Sequence, residues 1–454
     1  MSKKLSYGID FGTTNSTIAV VDNNNQILQL PVDSHSDNQS VMRSVIFVDK
    51  NGSYQYGAQA VKSYIQSVAI NKGASKRVVE TGKKLKLTAP ASATSGFKPD
   101  VIVDEVLEIE EADSGRLFQG IKSILSSTTV KKVNIYGEII AVEELVGRFL
   151  KEMKTRADFI TGKNINSAVV GRPIEYVGGN NQQAIMKMEK ALEIAGFTDW
   201  QFEFEPIGAA LEYGVKSTEQ ELILVFDFGG GTLDVSVVSY PANKVYSTVG
   251  LPIGGDHLNS ILFDKYIAPY FGKNNTYGDK NLPIPRHIFY YLKDWFKITL
   301  LKNDGFFESL ESFSYKSSNP QAIVALESLI KNNLGFSVYE EIERVKKRIS
   351  TSNVDKYKYS NQDIDIHELI TRSNFESLIE DDLVNIDKCI ELALSKANLN
   401  QTDITSVITT GGSSLIPVVR QLMVDKFGSH KLAASDTFTS VASGLAIKAS
   451  TIYR

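Results

Sequence analysis

Residues 225–238, VFDFGGGTLDVSVV, combine side-chain and backbone groups that could hold a phosphate and a metal ion. An apolar run from Leu222 to Phe226 ends in Asp227, then Phe228, Gly229, Gly230, Gly231 and Thr232, and a second alternating run, Leu233 to Val238, begins at once. That is the pattern of strand, tight turn, strand. Three successive glycines remove every side chain from the turn, so backbone N–H groups can converge on an anion such as phosphate. Asp227 at the strand end can hold magnesium through the ion's water shell, and the Thr232 hydroxyl can point at the same phosphates. Taken alone, the stretch also reads as an ordinary glycine-rich hairpin.

The chain contains a second copy. Residues 10–21, DFGTTNSTIAVV, align without a gap on 227–238, with Asp10 on Asp227, Phe11 on Phe228 and Gly12 on Gly229. Each copy opens one half of a 454-residue chain. A repeat this long implies two similar domains facing each other, not a solenoid unit. Two such acid-plus-hairpin devices opposed across a cleft could grip a nucleotide's phosphates from both sides.

The elements around these hairpins follow from periodicity. In the first half, strands are expected at 5–10, 17–22, 26–31 and 45–48. The less regular segment 49–137, broken by the polar stretch 81–100, reads as an inserted subdomain. A helix over 141–160 places Val142, Leu145, Val146, Phe149 and Met153 on one face. Strand 167–171, helix 181–195, strand 201–204 and helix 207–214 complete a series that implies parallel strands under covering helices. The second half repeats the theme with strands 222–227, 233–239 and 243–250, then a glycine turn opening a helix in GLPIGGDHLNSILFDKY. Its counterpart insertion, 271–337, is aromatic, with 285–300 as one helical piece. Helices follow at 338–350 and 374–397; strand 404–410 leads into Gly411-Gly412-Ser413 and another helix, and a last helix spans about 439–449. The boundaries drawn from this are lobe I at 1–216 (core 1–40 and 138–216, insertion 41–137) and lobe II at 217–454. Lobe II has its core at 217–262 and 346–434, an insertion at 263–345 and a closing helix at 435–454.

Composition narrows the classes. Apolar residues make up 42 % and charged residues 22 %, ordinary for a globular chain, and the net charge of −4 gives no reason to expect nucleic acid or a membrane surface. No run of eighteen apolar residues occurs, and the start lacks a signal-peptide core. With Cys389 as the only cysteine, intrachain disulfides are excluded, a disulfide-linked partner is not expected, and a reducing, cytoplasmic setting fits. His35, His257, His287, His367 and His430 are scattered without a ligand spacing, which argues against a zinc site.

IDFGTTNS, FEPIGAALEYG, DFGGGTLDVSVV, PIGGD, IERVKKRIS and ITTGGSSLIP occur in the order and spacing of the nucleotide-binding domain of DnaK-type heat-shock chaperones, which the chain resembles over essentially its whole length. VVGRPIEY and the aromatic insertion resemble a short, YegD-like branch of that family. The resemblance implies an α/β, actin-like ATPase fold: two duplicated ribonuclease-H-like lobes around a cleft for ATP or ADP with magnesium. It further implies that Asp10 and Asp227 hold hydrated magnesium, and that Gly12, Thr13, Thr14 and Asn15 face Gly229 to Thr232 across the phosphates. Glu205 matches a carboxylate near the attacking water and Lys122 a catalytic lysine, with Thr232 completing the hydrolytic set. A helix N-terminal acid is the alternative for Glu205, and a surface lysine for Lys122. Glu343, Lys346, Lys347 and Ser350 fall on positions that touch ribose and adenine, and Gly254, Gly255, Gly411, Gly412 and Ser413 on the glycine turns beside them. A solvated helix face is the alternative for 340–348.

Lys347 and Leu415 stand where the family carries two adenine-stacking arginines, so the base should be held less tightly or differently. Pro173 matches the family's switch proline, whereas Gln182 stands in place of a relay arginine. The resemblance runs to the closing helix, and a linker, peptide-binding β-sandwich and lid like those of the full chaperones are not expected in this chain. The expected function is a magnesium-dependent, slowly hydrolysing, chaperone-like switch acting on an unidentified protein partner or client. A nucleotide-sensing module without turnover and a small-molecule kinase on the same fold are the alternatives.

Overall fold

Tyr7–Phe11, with apolar residues at alternate positions, and Asn15–Val21, buried continuously from Ser16 on, form an antiparallel hairpin with Asp10 opposite Thr17. Ile27–Gln29 extends this meander on one side. On the other, Ser167–Arg172 joins Tyr7–Phe11 in parallel and Asp199–Phe204 joins it in turn. The second half builds the same pattern: Glu221–Phe228, Leu233–Tyr240 and Lys244–Leu251 form an antiparallel meander, and Ser406–Thr410 adds in parallel beside the first of them. The sequence repeat is therefore a repeat of sheet topology. Leu224, Val225 and Phe226 are all buried, as the continuous apolar run of a strand covered on both faces requires. The computed structural model describes residues 4–70, 84–88, 100–104, 109–112, 115–127, 132–176, 180–214, 220–295, 297–302, 304–361, 363–433 and 437–453.

The closing helix, Ser440–Ile452, lies against the first sheet and the helix Glu205–Gly214. Its sequence, SVASGLAIKASTI, supplies small residues at the contact, and most of them are fully buried. A Cβ at Gly444 would lie 1.7 Å from the carbonyl oxygen of Gly208, and one at Gly8 would lie 2.1 Å from the amide nitrogen of Ala446. Backbones approach this closely only where side chains are absent.

Within the first half's insertion, Tyr54–Tyr56, Val45–Asp49, Gly115–Gln119 and Ile109–Ala112 form one sheet in that order, covered by the helix Gly57–Ile70. The polar stretch 81–100 lies mostly outside the described residues, although Lys84–Thr88 pairs with Asp100–Asp104 as a ribbon. Two expectations need correction. The piece 285–300 is not one helix: Arg286–Leu292 is helical, the chain turns at Tyr291–Asp294, and a 3₁₀ turn follows at Lys297–Leu301. The break lets Trp295 turn inward onto Phe336, ring centroids 5.0 Å apart. The helix expected at 374–397 is two, Arg372–Leu378 and Glu380–Ala397; the Thr371 hydroxyl caps the first, and Glu380, Asp381 and Asp382 complement the positive end of the second. Between them and the preceding helix, Val354–Asn361 and Ile364–Thr371 form a hairpin that the sequence reading passed over.

The two halves meet outside the hairpins as well. Phe47 stacks edge-on against Tyr64, Tyr64 against Phe336 at 5.5 Å, and Phe336 against Trp295, so one aromatic ladder runs from the first insertion's sheet into the second half. Beside it, Arg43 makes a 2.7 Å ion pair with Glu340 of the helix Gly335–Thr351.

Because the closing helix is seated by backbone contact, Gly444→Ala should destabilise the protein by roughly 1–3 kcal/mol or more, as overpacked cores do. Gly231→Ala, where a Cβ meets nothing within 4 Å, should leave stability unchanged. Urea denaturation of both variants checks this; equal midpoints would contradict the contact.

Candidate functional site

Asp10 and Asp227 each stand next to last in a central strand, with Thr17 opposite the first and both Asp234 and Thr410 flanking the second. Burial pushes the Asp10 carboxyl up to about 8, with the negative Glu205 adding to the shift, Lys122 opposing it and Asp227 adding again. Asp227 is pushed up to about 7 by burial and then by Glu205, while the Thr410 hydroxyl beside it works the other way. Asp234 is raised by burial too, partly offset by Thr232, whose hydroxyl donates to it at 3.0 Å.

Lys122 follows the strand Gly115–Gln119, where Gly120 turns the chain at φ 66°. Its ammonium is 2.6 Å from Glu205 Oε1, and the residue is buried, so it is not a surface lysine. Burial disfavours that ammonium, but Glu205, Asp10 and Tyr176 outweigh the cost and hold Lys122 protonated, above its ordinary range. Glu205 is the first residue of its helix, a helix N-terminal acid, and it also reaches into the acidic cluster.

Across the cleft the hairpins touch. A Cβ at Gly230 would lie 2.2 Å from Thr14 Oγ1. Asn15 stands opposite Arg43, Ser44 donates to the Gly12 carbonyl at 2.7 Å, and the Ser44 amide donates to the Thr14 carbonyl, bracing the first turn. Thr13 is half-buried between these anchors. In the second turn Gly229 N–H donates to Thr232 O, Gly255 N–H to Gly229 O and Asp256 N–H to Gly230 O. Gly254 packs on the Gly230 carbonyl, where a Cβ would come within 2.3 Å. Gly411, at φ 77°, approaches the Phe228 backbone just as closely, and Ser413 Oγ donates to Gly229 O at 3.0 Å.

Beside these turns Lys346 donates to the Gly255 carbonyl at 2.9 Å and pairs with Glu343 at 2.7 Å. Glu343 also accepts from Asn259 at 2.9 Å. Burial alone would raise Glu343, but Lys346, Lys347 and these hydrogen bonds bring it down to about 2. Asp256 is driven up to about 6, chiefly by burial. The structure thus gathers Asp10, Thr14, Lys122, Glu205, Asp227, the Gly229–Thr232 turn, Gly254, Gly255, Glu343, Lys346, Gly411, Gly412 and Ser413 along one cleft. Lys347 and Leu415 sit at its rim, the Lys347 side chain 71 % exposed and Leu415 47 % exposed. Ser350 turns its hydroxyl back to the Lys346 carbonyl. Sequence reasoning overlooked Asp234, Asp256, Asn259, Ser44 and Arg43; the first three lay inside motifs already quoted, whereas nothing around Arg43 marked it.

Asp10, Asp227, Asp234 and Glu205 share the ammonium of Lys122, a balance that favours an added cation. Among the described residues, no three His, Cys, Asp or Glu side chains converge tightly enough to hold a bare metal ion. Asp10 and Asp227 supply hard carboxylate oxygens, the donor chemistry that a hydrated magnesium taking its remaining ligands from water and phosphate would fit.

The family model of the Hsp70 protein matches residues 105–281 and 331–453. The chain belongs to the Hsp70 family. Its fold is accordingly the actin-like ATPase fold. It is 27 % identical over 97 % of its length to a chaperone protein dnaK of Cyanidioschyzon merolae, covering 61 % of that protein. It is 29 % identical over 70 % of its length to the DnaK of Thermoplasma volcanium, covering 45 % of it, and 26 % identical over 98 % to that of Deinococcus deserti, covering 59 %. The chain thus spans about half to three fifths of the length of these curated relatives. No helix among the described residues is long and apolar enough to cross a membrane.

The raised carboxyls predict a pH dependence. Asp10 and Asp227 bind protons more tightly folded than unfolded, so their contribution to stability is full below about pH 4 and is lost as pH rises through about 7–8. Between pH 6 and 8.5 the melting temperature of the ligand-free protein should fall, and Asp10→Asn should flatten the slope. A parent whose melting temperature is level over that interval would contradict the enclosed, undercompensated cluster.

Proposed function

We propose that this Hsp70-family chain binds magnesium–ATP in the cleft between its two aspartate hairpins and hydrolyses it slowly, coupling nucleotide state to the relation between the lobes. The observation that carries the reading is the Lys122–Glu205 pair, 2.6 Å apart and buried beside Asp10 and Asp227. Bound magnesium would neutralise phosphate charge. The chain's own residues do the remaining work: the glycine turns offer backbone N–H groups to the phosphates, and the Lys122 ammonium stabilises negative charge developing on the transferred group. Glu205, held in place by Lys122, orients water or accepts its proton.

The cleft lies between two halves that also touch through Arg43–Glu340 and the aromatic ladder, so a ligand gripping both hairpins would favour the closed arrangement. The relatives named above are chaperones, and a protein client or partner is proposed on that ground. Placement in the YegD-like branch rests on VVGRPIEY and the aromatic insertion. The same Lys122–Glu205 contact supports a second reading, in which each group merely neutralises the other and nucleotide is sensed without turnover.

Calorimetry and single-turnover hydrolysis separate the two. Lys122→Met and Glu205→Gln should lower the hydrolysis rate by about 10²-fold or more while magnesium–ATP still binds, the pattern of groups acting in the transition state. Undetectable hydrolysis by the parent, with binding intact, would decide for the sensing module.

A further inference from the structure

We infer that Phe438 is the aromatic surface on which the nucleotide's base lies; the inference rests on the nucleotide-binding reading above and adds a residue to it. The turn Gly411–Leu415 is fixed in the candidate site: Ser413 donates to the Gly229 carbonyl, and a Cβ at Gly255 would be 3.1 Å from both Ser413 Oγ and Lys346 Nζ. Phe438 lies directly on that turn. A Cβ at Gly412 would meet its Cε1 at 3.2 Å and its Cζ at 3.3 Å, so glycine leaves room for the ring.

Both neighbours of Phe438 hold it there. The Thr437 carbonyl accepts from the Gly411 amide at 3.0 Å, and Thr439 is buried at the start of the closing helix, its carbonyl accepting from Ser443. Phe438 as a residue is half-buried, so it is not sealed off from the cleft side of the turn.

The two positions from which guanidinium planes were expected cannot supply a stacking face. Lys347 is largely exposed and carries a compact ammonium 3.6 Å from Glu343, and Leu415 is a half-exposed aliphatic side chain. Phe438 provides a plane at the same turn, and Leu415 adds an apolar edge. A purine base needs one broad apolar face, and stacking on an aromatic ring provides it whatever the base's hydrogen-bonding pattern.

Calorimetry on the full chain tests this with magnesium–ATP, magnesium–ADP and magnesium–tripolyphosphate, the last carrying phosphates without a base. Phe438→Ala should weaken ATP and ADP about 5- to 100-fold, the range measured for base–aromatic stacks, and leave tripolyphosphate binding unchanged. Phe438→Tyr should retain parental affinity. Phe438→Leu keeps the bulk without the ring and should show the loss even if the alanine variant folds poorly. A 2-aminopurine nucleoside triphosphate should be quenched on binding the parent and not on binding Phe438→Leu. Parental ATP affinity in the alanine and leucine variants, or a loss shared equally by tripolyphosphate, would overturn the role of Phe438 alone. A parent that binds tripolyphosphate but no nucleotide would overturn the nucleotide reading with it.

Discussion

Carboxylates held out of water are the constraint around which this structure is arranged. Asp10 and Asp227 end two central strands, and burial raises both, with Glu205 adding to each shift. Desolvated like charges at close quarters are costly unless a cation compensates them. One ammonium, that of Lys122, is shared among Asp10, Asp227, Asp234 and Glu205. An added cation would relieve that imbalance, which is the basis of the magnesium–nucleotide proposal. Lys122 comes from the first insertion and Glu205 from a helix start far along the chain, so the cluster also ties separate parts of the first half together.

The same cleft is bounded by backbone instead of side chains. Gly230 against Thr14, Gly254 against Gly230 and Gly411 against Phe228 let four segments converge with their amides and carbonyls facing one another. Side chains there would push the segments apart. Peptide groups of the glycine turns, fixed by the sheets, stand beside the carboxylate cluster and would need little reorganisation to meet an anion.

Besides the closing helix, two contacts between the halves differ in kind. Arg43–Glu340 is directional and partly open to water, whereas the Phe47–Tyr64–Phe336–Trp295 ladder is apolar and almost fully buried. A closed arrangement stabilised by dispersion and burial resists water entry; one ion pair at its edge fixes the register. The aromatic content of the second insertion is largely accounted for in this way: Phe289 and Trp295 are buried, Tyr290 remains exposed, and Phe296 lies outside the described residues.

Much of the frame was legible in the sequence, because short-range patterns determine it. Short apolar runs ending at Asp10 and Asp227 marked the strands, three glycines marked the turn, and the internal echo marked a duplicated topology. Helix ends were less so: the apolar period continues through Ile379, and only the Thr371 cap and the acids at 380–382 show that it belongs to two helices. The hairpin 354–371 carries a visible alternation, with Tyr357, Ile364, Ile366 and Ile370 buried, yet its many charges disguised a sheet that is covered on one face only.

Which distant residues would share the cleft was decided by tertiary structure, and the reason is geometric. Nothing local to Lys122 says that Gly120 will turn the chain toward Glu205, and nothing around Arg43 announces Glu340 nearly three hundred residues away. Phe438 reads as one aromatic residue before a small-residue helix; it meets Gly412 only because Thr437 bonds to Gly411 and the closing helix is pulled onto the first sheet. The sequence by itself determined the strands, the glycine turns and the two acids, since each depends on neighbours a few residues apart. The shifted acidities, the shared ammonium and the seat beside Gly412 depend on burial and through-space distance, which exist only once the two halves have folded against each other.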